Sequence, residues 1–207
     1  GGEMWEKSDG TVVELPAEPA TIDIVDGAAK AGGVLNFRTG NVAVDEKGVP
    51  WVIYARLDRQ PYVTWVARPM GDGKWEKRSL LAAVQDMWPG RSVKTPGNVV
   101  FDRDGVMYAA VTTVAGSVDE KEAMWGHPSA ETLLLVSRDK GWTFDVFEIS
   151  RRDKTAPNWL CNIERPMRQE LGEVTSLIYT HGLRGETNKD ILSNEVVWCD
   201  VQALVTR

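Results

Sequence analysis

Short runs of apolar and β-branched residues, separated by Gly, Pro, Asp and Asn, recur along the chain. These runs lie at residues 49–57, 62–68, 106–113, 132–137, 144–149, 175–180 and 195–201. Runs of this length and composition, bounded by turn residues, predict β-strands. The best helical candidate, residues 79–87, is short and is followed by Pro89, so at most two helical turns are expected there. The pattern therefore predicts an all-β chain.

A nine-residue pattern occurs twice, 57 residues apart. The segment GNVAVDEKG at residues 40–48 matches GNVVFDRDG at residues 97–105. In both copies an apolar strand ends in an Asp-x-x-Gly turn, and a second apolar strand follows. Asp and Gly adopt the turn dihedrals that β-branched residues resist. Each copy is therefore predicted to form a β-hairpin.

A second unit follows each hairpin. The segment SRDKGWTF at residues 137–144 has the spacing Ser-x-Asp-x-Gly-x-Thr-aromatic. Sixty-nine residues earlier, RPMGDGKW at residues 68–75 aligns with it as a degenerate copy that keeps the closing aromatic, Trp75. An offset of 139 residues aligns Trp5 with Phe144. The chain is therefore expected to begin inside a repeat, as a fragment would.

The unit at residues 137–144 resembles the Asp box of bacterial neuraminidase (BNR) repeats, which lies between the third and fourth strands of β-propeller blades. In that family the Asp and Ser side chains bond the turn backbone, and the aromatic ring packs between blades. The resemblance thus implies a structural role for the five motif residues, Ser137, Asp139, Gly141, Thr143 and Phe144. A metal-binding loop is the alternative, although one carboxylate with Gly is far from the carboxylate-rich calcium loop.

The last third of the chain carries a second resemblance. The segments NWLCNIERP at residues 158–166, SLIYT at 176–180 and SNEVVW at 193–198 resemble the end of bacterial secreted repeat-containing propellers. Some of those proteins are polysaccharide lyases, including ulvan lyases. The resemblance implies a secreted or periplasmic protein, although residues 1–6 lack the basic start and the apolar stretch of a signal peptide.

Four strands per blade fit the repeats as a single β-propeller fragment over residues 1–207. The expected blades cover about residues 40–81, 97–150 and 158–205, after a partial blade at residues 1–16. Closed propellers have roughly four to eight blades, and an arc of three leaves open sheet faces. We therefore expect part of a larger propeller of about seven blades, completed by blades absent from this chain.

The net charge and the small number of Cys and His residues limit the kinds of partner and cofactor that are expected. The chain has 24 Lys and Arg against 30 Asp and Glu, a net charge of -6, whereas nucleic-acid binders carry a basic stripe. No apolar run approaches the roughly 18 residues that cross a bilayer, so neither nucleic acid nor membrane is an expected partner. The two Cys and two His lack ligand spacing, so no metal or cofactor is expected. Cys161 and Cys199 fall on non-adjacent strands of the last blade and are expected to be free thiols.

Strand parity sorts the propeller loops onto two faces, and by analogy with propeller enzymes the site is expected opposite the Asp box. About twelve residues are inserted between residues 111 and 133, and long loops on a rigid scaffold tend to carry function. The candidate catalytic residues are His127 and His181. The candidate substrate-binding residues are cations for an anionic ligand and flat aromatics for sugar rings, together Arg38, Arg59, Arg91, Trp88, Trp125, Trp159 and Arg165. Each has a structural alternative: loop His and Arg are often solvated and inert, Trp is often core, and Arg165 can pair with Glu164.

The leading functional hypothesis is a carbohydrate-active propeller, a polysaccharide lyase acting on an acidic, uronate-containing polysaccharide. Such a β-elimination needs a group that neutralises the uronate carboxylate, a base and an acid. In the ulvan lyases that the chain resembles, much of the catalytic set lies in the other half of the ring, so this chain is expected to hold part of a site or none. The alternatives are a sialidase-like glycoside hydrolase and a non-catalytic propeller that binds carbohydrate or protein.

Overall fold

A computed structural model describes residues 4–18, 20–27, 36–58, 60–116, 118, 126–150, 156–165, 172–184 and 191–206. The strands are β1 (Trp5–Glu6), β2 (Val12–Val13), β3 (Phe37–Val44), β4 (Pro50–Arg56), β5 (Val63–Pro69), β6 (Trp75–Ser79), β7 (Arg91–Phe101), β8 (Met107–Ala115), β9 (Glu131–Ser137), β10 (Asp145–Glu148), β11 (Asn158–Ile163), β12 (Ser176–Arg184) and β13 (Ile191–Asp200). The helices are α1 (Leu81–Met87) and α2 (Val201–Val205). The all-β prediction is confirmed, and α1 is the short helix expected after residue 79.

Consecutive strands pair into three main antiparallel sheets, which we call sheets I, II and III. Sheet I has the order β3-β4-β5-β6, sheet II the order β7-β8-β9-β10, and sheet III the order β11-β12-β13, while β1 and β2 pair separately. The first strands β3, β7 and β11 are neighbours, so each sheet is a blade whose first strand is innermost. The fold is an arc of a β-propeller. Sheet III differs from the expected four-stranded blade, because its third strand leads into α2.

The two largest hydrophobic clusters of the described residues lie one on each face of sheet II. Neighbouring strand residues point to opposite faces, so Leu133 faces sheet I while Leu134 faces sheet III. On the sheet I side the cluster includes Trp51 and Val66, and on the sheet III side it includes Leu177. Strands β8 and β9 are consequently buried along almost their whole length.

The repeated Gly-Asn pair joins each inner strand to the next. A Cβ atom on Gly40 would lie 2.6 Å from the carbonyl oxygen of Gly97, and one on Gly97 would lie 2.6 Å from that of Cys161. Only glycine permits this approach. Asn41 Oδ1 accepts from the Val99 N–H at 2.7 Å and its amide donates to the Val99 carbonyl. Asn98 Oδ1 accepts from the Ile163 N–H at 3.2 Å. An asparagine at the equivalent position therefore bridges each of the two interfaces between sheets.

A carboxylate follows each inner strand and accepts from a side chain on the second strand. Asp45 Oδ2 accepts from Trp51 Nε1 at 3.1 Å, and Asp102 Oδ2 accepts from the Tyr108 hydroxyl at 3.1 Å. In sheet III, Glu164 accepts from the hydroxyl of Ser176 at 2.8 Å. The other oxygens of Asp45 and Asp102 accept backbone N–H groups of their own turns. These bonds fix the hairpins that the repeat predicts.

The turn from Ser137 to Phe144 is held by its own side chains. Asp139 accepts from the backbone N–H groups of Trp142 and Thr143 and from the Thr143 hydroxyl at 2.6 Å. Ser137 Oγ accepts from the N–H of Gly141 at 2.7 Å. The prediction that Asp139 bonds the backbone of its own turn is therefore met. Phe144 and the aligned Trp75 are half-buried, because each ring lies where an outer strand begins. Phe144 packs against the cluster between sheets I and II, as the resemblance implies.

This turn also contacts sheet I. Lys140 pairs with Glu46 and donates to the Gly105 carbonyl oxygen at 3.2 Å, which joins the first turns of sheets I and II. The Arg78 guanidinium of sheet I lies 4.1 Å from the centre of the Trp142 ring. We call this end of the sheets, with the Asp45, Asp102 and Ser137 turns, the turn end.

Both cysteines are free thiols, as the strand spacing predicts. Burial raises the pKa of Cys161 to about 12. Within the described ranges, no helix is long and apolar enough to cross a membrane. Across that same part of the chain, no three His, Cys, Asp or Glu side chains are grouped as metal ligands would be.

Candidate active site

A polar cluster lies where sheets II and III meet, at the end opposite the turn end. Strand β8 reaches this end at Ala115 and β9 leaves it at Glu131, whereas β9 and β10 meet at the turn end. We call the cluster His127, Ser129, Glu131, Asn158 and His181 the histidine rim. Both predicted catalytic histidines therefore lie at the same end of the sheets, on the side opposite Asp139.

A buried carboxylate anchors one histidine through an amide. Glu131 Oε2 accepts from the Ser150 hydroxyl at 2.5 Å and from Asn158 Nδ2 at 2.9 Å. Because the Asn158 amide nitrogen donates to the carboxylate, its oxygen is the atom that meets His181 Nδ1, at 2.9 Å. Nδ1 of His181 therefore carries a proton. In the neutral ring, Nε2 is then the basic nitrogen.

The other histidine is held with the opposite arrangement. The backbone N–H of Ser129 donates to His127 Nδ1 at 3.0 Å, so this nitrogen is an acceptor. The Ser129 hydroxyl lies 2.8 Å from the same nitrogen and accepts from the Ala115 N–H. A neutral His127 ring consequently carries its proton on Nε2. The two rings thus present different nitrogen chemistry at one rim.

Short backbone links connect the two histidines. The N–H of Ala130 donates to the His127 carbonyl at 2.7 Å, and the N–H of Asn158 donates to the Ala130 carbonyl at 2.9 Å. Asn158 then contacts His181. Trp159, the next residue along β11, packs against Val114, Val118 and Ala130, so it lies beside the rim. Trp159 is the predicted aromatic that the fold brings near both histidines.

Arg91 supports the rim through the backbone. Its guanidinium donates to the Ser129 carbonyl at 2.6 Å and to the Thr113 carbonyl and hydroxyl at 3.0 and 2.8 Å. These bonds hold the segment that carries His127. The sequence predicted Arg91 as a substrate-binding cation, whereas in the structure its guanidinium donates to oxygen atoms of Thr113 and Ser129.

Trp88 does not join the rim. Its Nε1 donates to Glu148 on the outer strand β10 at 3.1 Å, and the Arg91 guanidinium lies 5.2 Å from its ring centre. The ring also packs against the core cluster between sheets I and II. Trp88 lies in the predicted connection before β7, and its contact with a sugar ring stays a prediction.

The remaining predicted residues are separated. Arg38 is half-buried on β3, opposite Ala55, at the same end as the rim but in sheet I. Arg165 is exposed and follows β11 at the turn end, which contradicts its expected place in the substrate site. Its expected ion pair with Glu164 is also absent from the described contacts, because that carboxylate accepts from Thr175 and Ser176. Arg59 and Trp125 lie outside the described residues.

Sequence reasoning missed the buried part of the rim. Glu131, Ser150 and Asn158 are spread over three segments, and each resembles an ordinary residue at a strand boundary. Their shared signal is burial, since all three polar side chains are almost inaccessible to solvent. Only pairing of β11 with β12 and packing of sheet II on sheet III bring them together.

Comparison with known proteins supports the fold. No family model matches the chain, and no curated protein matches it. The Hadza microbial sialidase Hz136 superposes with a TM-score of 0.51 at 16% identity, over 87% of this chain and 37% of that chain. A protein of unknown function from Dyadobacter fermentans gives 0.48 at 15% identity, over 79% of this chain and 37% of that chain. The chain spans well under half of either protein, and the sialidase likeness supports a β-propeller arc.

Proposed function

We propose that this chain belongs to a carbohydrate-active β-propeller and that the histidine rim is an acid–base site for an acidic polysaccharide. The observation that carries the proposal is the opposite proton placement on the two rings. His181 is anchored as a base with Nε2 as its basic nitrogen, and His127 as a hydrogen-bond donor through Nε2. A base and a hydrogen-bond donor at one rim suit a reaction that removes a proton and stabilises a departing oxygen.

The reaction proposed is β-elimination at a uronate unit. His181 Nε2 takes the proton from C5, the C5–H electrons form a C4–C5 double bond, and the C4–O bond breaks. The departing oxygen accepts a hydrogen bond from His127 Nε2–H and takes the proton that His181 removed from C5, which returns His181 to its neutral form. The products are an unsaturated uronate and a chain with a free hydroxyl, so atoms and electrons balance without a cofactor.

Two further residues fit the polymer. The Arg38 guanidinium, at the same end of sheet I, is the proposed partner of the uronate carboxylate, in place of Arg91. Trp159 is proposed to stack on a sugar ring, because its flat face suits the C–H face of a sugar. A polymer substrate also favours an exported, secreted or periplasmic protein.

A sialidase-like hydrolase is the second candidate. It rests on the name of the sialidase that superposes on the chain, a likeness of fold at 16% identity. The third candidate, a propeller that only binds carbohydrate or protein, needs no proton transfer. The three differ in product: an unsaturated uronate, free sialic acid or an unchanged polymer.

The test incubates the chain with uronate-containing polysaccharides and follows the ultraviolet absorbance of the new conjugated double bond. His181→Gln and His127→Gln should each lower the initial rate by roughly 10²- to 10⁴-fold, as removal of a general base or acid does. Asn158→Leu should lower kcat and leave KM nearly unchanged, because it removes the hydrogen bond that orients the His181 ring but keeps the ring itself. Arg103→Gln, an exposed change at the turn end, is the matched control.

Absorbance without dependence on either histidine would overturn the assignment of the rim. Release of reducing sugar or sialic acid without absorbance would favour the hydrolase. Binding without any product would favour the non-catalytic propeller. Thermal melting of each variant distinguishes lost chemistry from lost folding.

A further inference from the structure

An exposed tryptophan at the turn end lies over a buried arginine. Trp142 of sheet II is 69% exposed, whereas Arg78 of sheet I is only 7% exposed. The Cζ atom of Arg78 lies 4.1 Å from the centre of the Trp142 ring and 5.7 Å from that of the buried Trp51 ring. Large aromatic residues are usually buried and arginines exposed. The burial of this pair is therefore the reverse of what solvation favours.

The hydrogen bonding of Arg78 is incomplete. Its Nη2 donates to Glu76 Oε2 at 2.8 Å, and the same oxygen accepts from Arg68 Nε at 2.7 Å. Two guanidinium groups thus share one carboxylate, which leaves this group of three side chains with an excess of positive charge. Nε and Nη1 of Arg78 are buried and have no hydrogen-bond partner in the described part of the chain. Buried donors without acceptors cost stability, so stability alone does not account for this arrangement.

The other charged groups of the turn bond elsewhere. Lys140 pairs with Glu46, and Arg138 pairs with Asp145 at 2.7 Å. Both oxygens of Asp139 accept from the backbone N–H of the same turn. Among the ion pairs of the described residues, the guanidinium below the exposed indole is joined only to the carboxylate that it shares.

Trp142 is held in one position. Its backbone N–H donates to Asp139 Oδ1 at 3.0 Å, and the next residue, Thr143, is fixed to the same carboxylate through its N–H and its hydroxyl. One face of the ring lies against Arg78, and the high exposure of the residue leaves the other face open. A side chain that is already ordered loses little conformational freedom when a ligand binds.

The exposure of Trp142 differs in origin from that of the outward faces of sheets I and III. Those faces each lack a neighbouring sheet in the described chain, so a further blade would cover them. Trp142 lies between sheets I and II, which are both described and already packed together. A further blade of the ring therefore does not account for its open face.

We propose that Trp142 and Arg78 form a binding site for an acidic sugar unit, which we call the Trp142 platform. The C–H face of a sugar ring packs on the open face of the indole, and a uronate carboxylate complements the excess positive charge beneath it. An inorganic anion would use only the charge, and a neutral sugar only the ring. The choice of a uronate polymer rests on the proposed function. A polymer held at a second position gains overall affinity through effective concentration.

Nuclear magnetic resonance of the ¹⁵N-labelled chain tests the platform locally. A short oligogalacturonate is titrated in the His181→Gln background, which keeps the ligand intact, and the Trp142 indole N–H signal is identified by its loss in Trp142→Phe. We expect a saturable shift of this signal, and a weaker response to a neutral maltooligosaccharide of equal length. Arg78→Met should raise the Kd by about 10-fold, because it removes the charge but keeps a long side chain.

Arg103→Met is the matched control, because it removes an exposed positive charge at the same end and should leave the Kd unchanged. Thermal melting shows whether Arg78→Met folds. Independently of that variant, the Kd of the unsubstituted platform should rise with salt, as the binding of an anion to an exposed site does.

An indole signal that does not respond to oligogalacturonate would overturn the inference, as would equal affinity for the neutral oligosaccharide. A folded Arg78→Met chain with unchanged Kd would overturn the role of the guanidinium. The rim chemistry is measured separately by product formation. A Trp142 shift without unsaturated product from the unsubstituted chain would contradict the proposed function alone, and product without the shift would contradict the platform alone.

Discussion

Sheets II and III are neighbouring antiparallel sheets of the same arc but differ in what covers them. Sheet II has a neighbour on both faces, and its β8 and β9 residues are buried whichever way they point. Sheet III has a neighbour on one face, and alternate residues from Val196 to Asp200 of β13 are exposed. Burial in this fold therefore depends on whether a further sheet covers the strand, since Trp198, a large aromatic residue, is 63% exposed on the uncovered face.

The largest expected contrast comes from shortening equivalent residues on the two sheets. Leu134→Ala leaves a cavity between sheets II and III and should lower the free energy of unfolding by about 2 to 5 kcal/mol. Trp198→Ala removes more atoms but should change it by less than about 1 kcal/mol. Urea unfolding at a concentration where the chain is monomeric measures both. A large loss from Trp198→Ala under those conditions would mean that sheet III is covered within one chain.

Gly97→Ala should be the next most damaging change. Its Cβ would lie 2.6 Å from the Cys161 carbonyl oxygen and 2.8 Å from that of Ala110, both backbone atoms that cannot move aside. Overpacking of this kind costs about 1 to 3 kcal/mol. Gly172→Ala is the control, because no atom lies within 4 Å of the added Cβ. Equal melting temperatures for the two variants would contradict the close approach of β7 and β11.

Substitution of the buried Asn98 should cost more stability than substitution of Asn162, which is exposed on sheet III. Asn98→Ala leaves the Ile163 N–H buried without its acceptor, which costs about 1 to 3 kcal/mol. Asn162→Ala in monomeric protein should cost less than about 0.5 kcal/mol, as exposed substitutions do. Thermal melting compares them directly, and a similar cost for both would remove the distinction between covered and open faces.

The smallest expected effect is the loss of stability at low pH that comes from the Ser137–Phe144 turn of sheet II. Bonds from the Thr143 side chain and backbone, with those from Ser137 and Trp142, hold the pKa of Asp139 at about 2. Because this value is below the unfolded pKa of about 3.9, the bonds stabilise the fold fully above about pH 4, and the contribution is lost as pH falls towards 2. Asp139→Asn should flatten the pH dependence of melting in that window. An unchanged slope would assign the acid sensitivity to other carboxylates.

Much of the fold could be predicted from the sequence because its repeats are local. The matched segments at residues 40–48 and 97–105 contain both strands and the turn between them, so one short pattern defines a complete hairpin. The three-stranded edge of the arc was not predictable in this way. Residues 201–205 form a helix where the repeat predicted further strand, because Asp200 accepts from the Ala203 N–H and caps it.

The candidate site was predictable only in part. Strand parity placed His127 and His181 at one end, since parity depends on the number of crossings and not on side-chain detail. It could not distinguish a substrate-facing arginine from Arg91, whose contacts with Ser129 and Thr113 depend on how the chain enters β7. Glu131 and Asn158 required the packing of two sheets, which no local pattern reports.

The carboxylates that follow the inner strands have a consequence for how this chain has diverged. Asp45 meets the long indole of Trp51 and Asp102 the phenol of Tyr108, whereas the longer Glu164 meets the short Ser176. Asp45 and Asp102 are equivalent, since each lies four residues after the Asn of its inner strand, whereas Glu164 lies two residues after Asn162. Between the two equivalent positions the acid is kept while its donor changes from an indole to a phenol, so exchange of Trp51 and Tyr108 by other long aromatic donors is expected to be tolerated. The two repeats can therefore differ in sequence at the donor position while the hydrogen bond between the first turn and the second strand is kept.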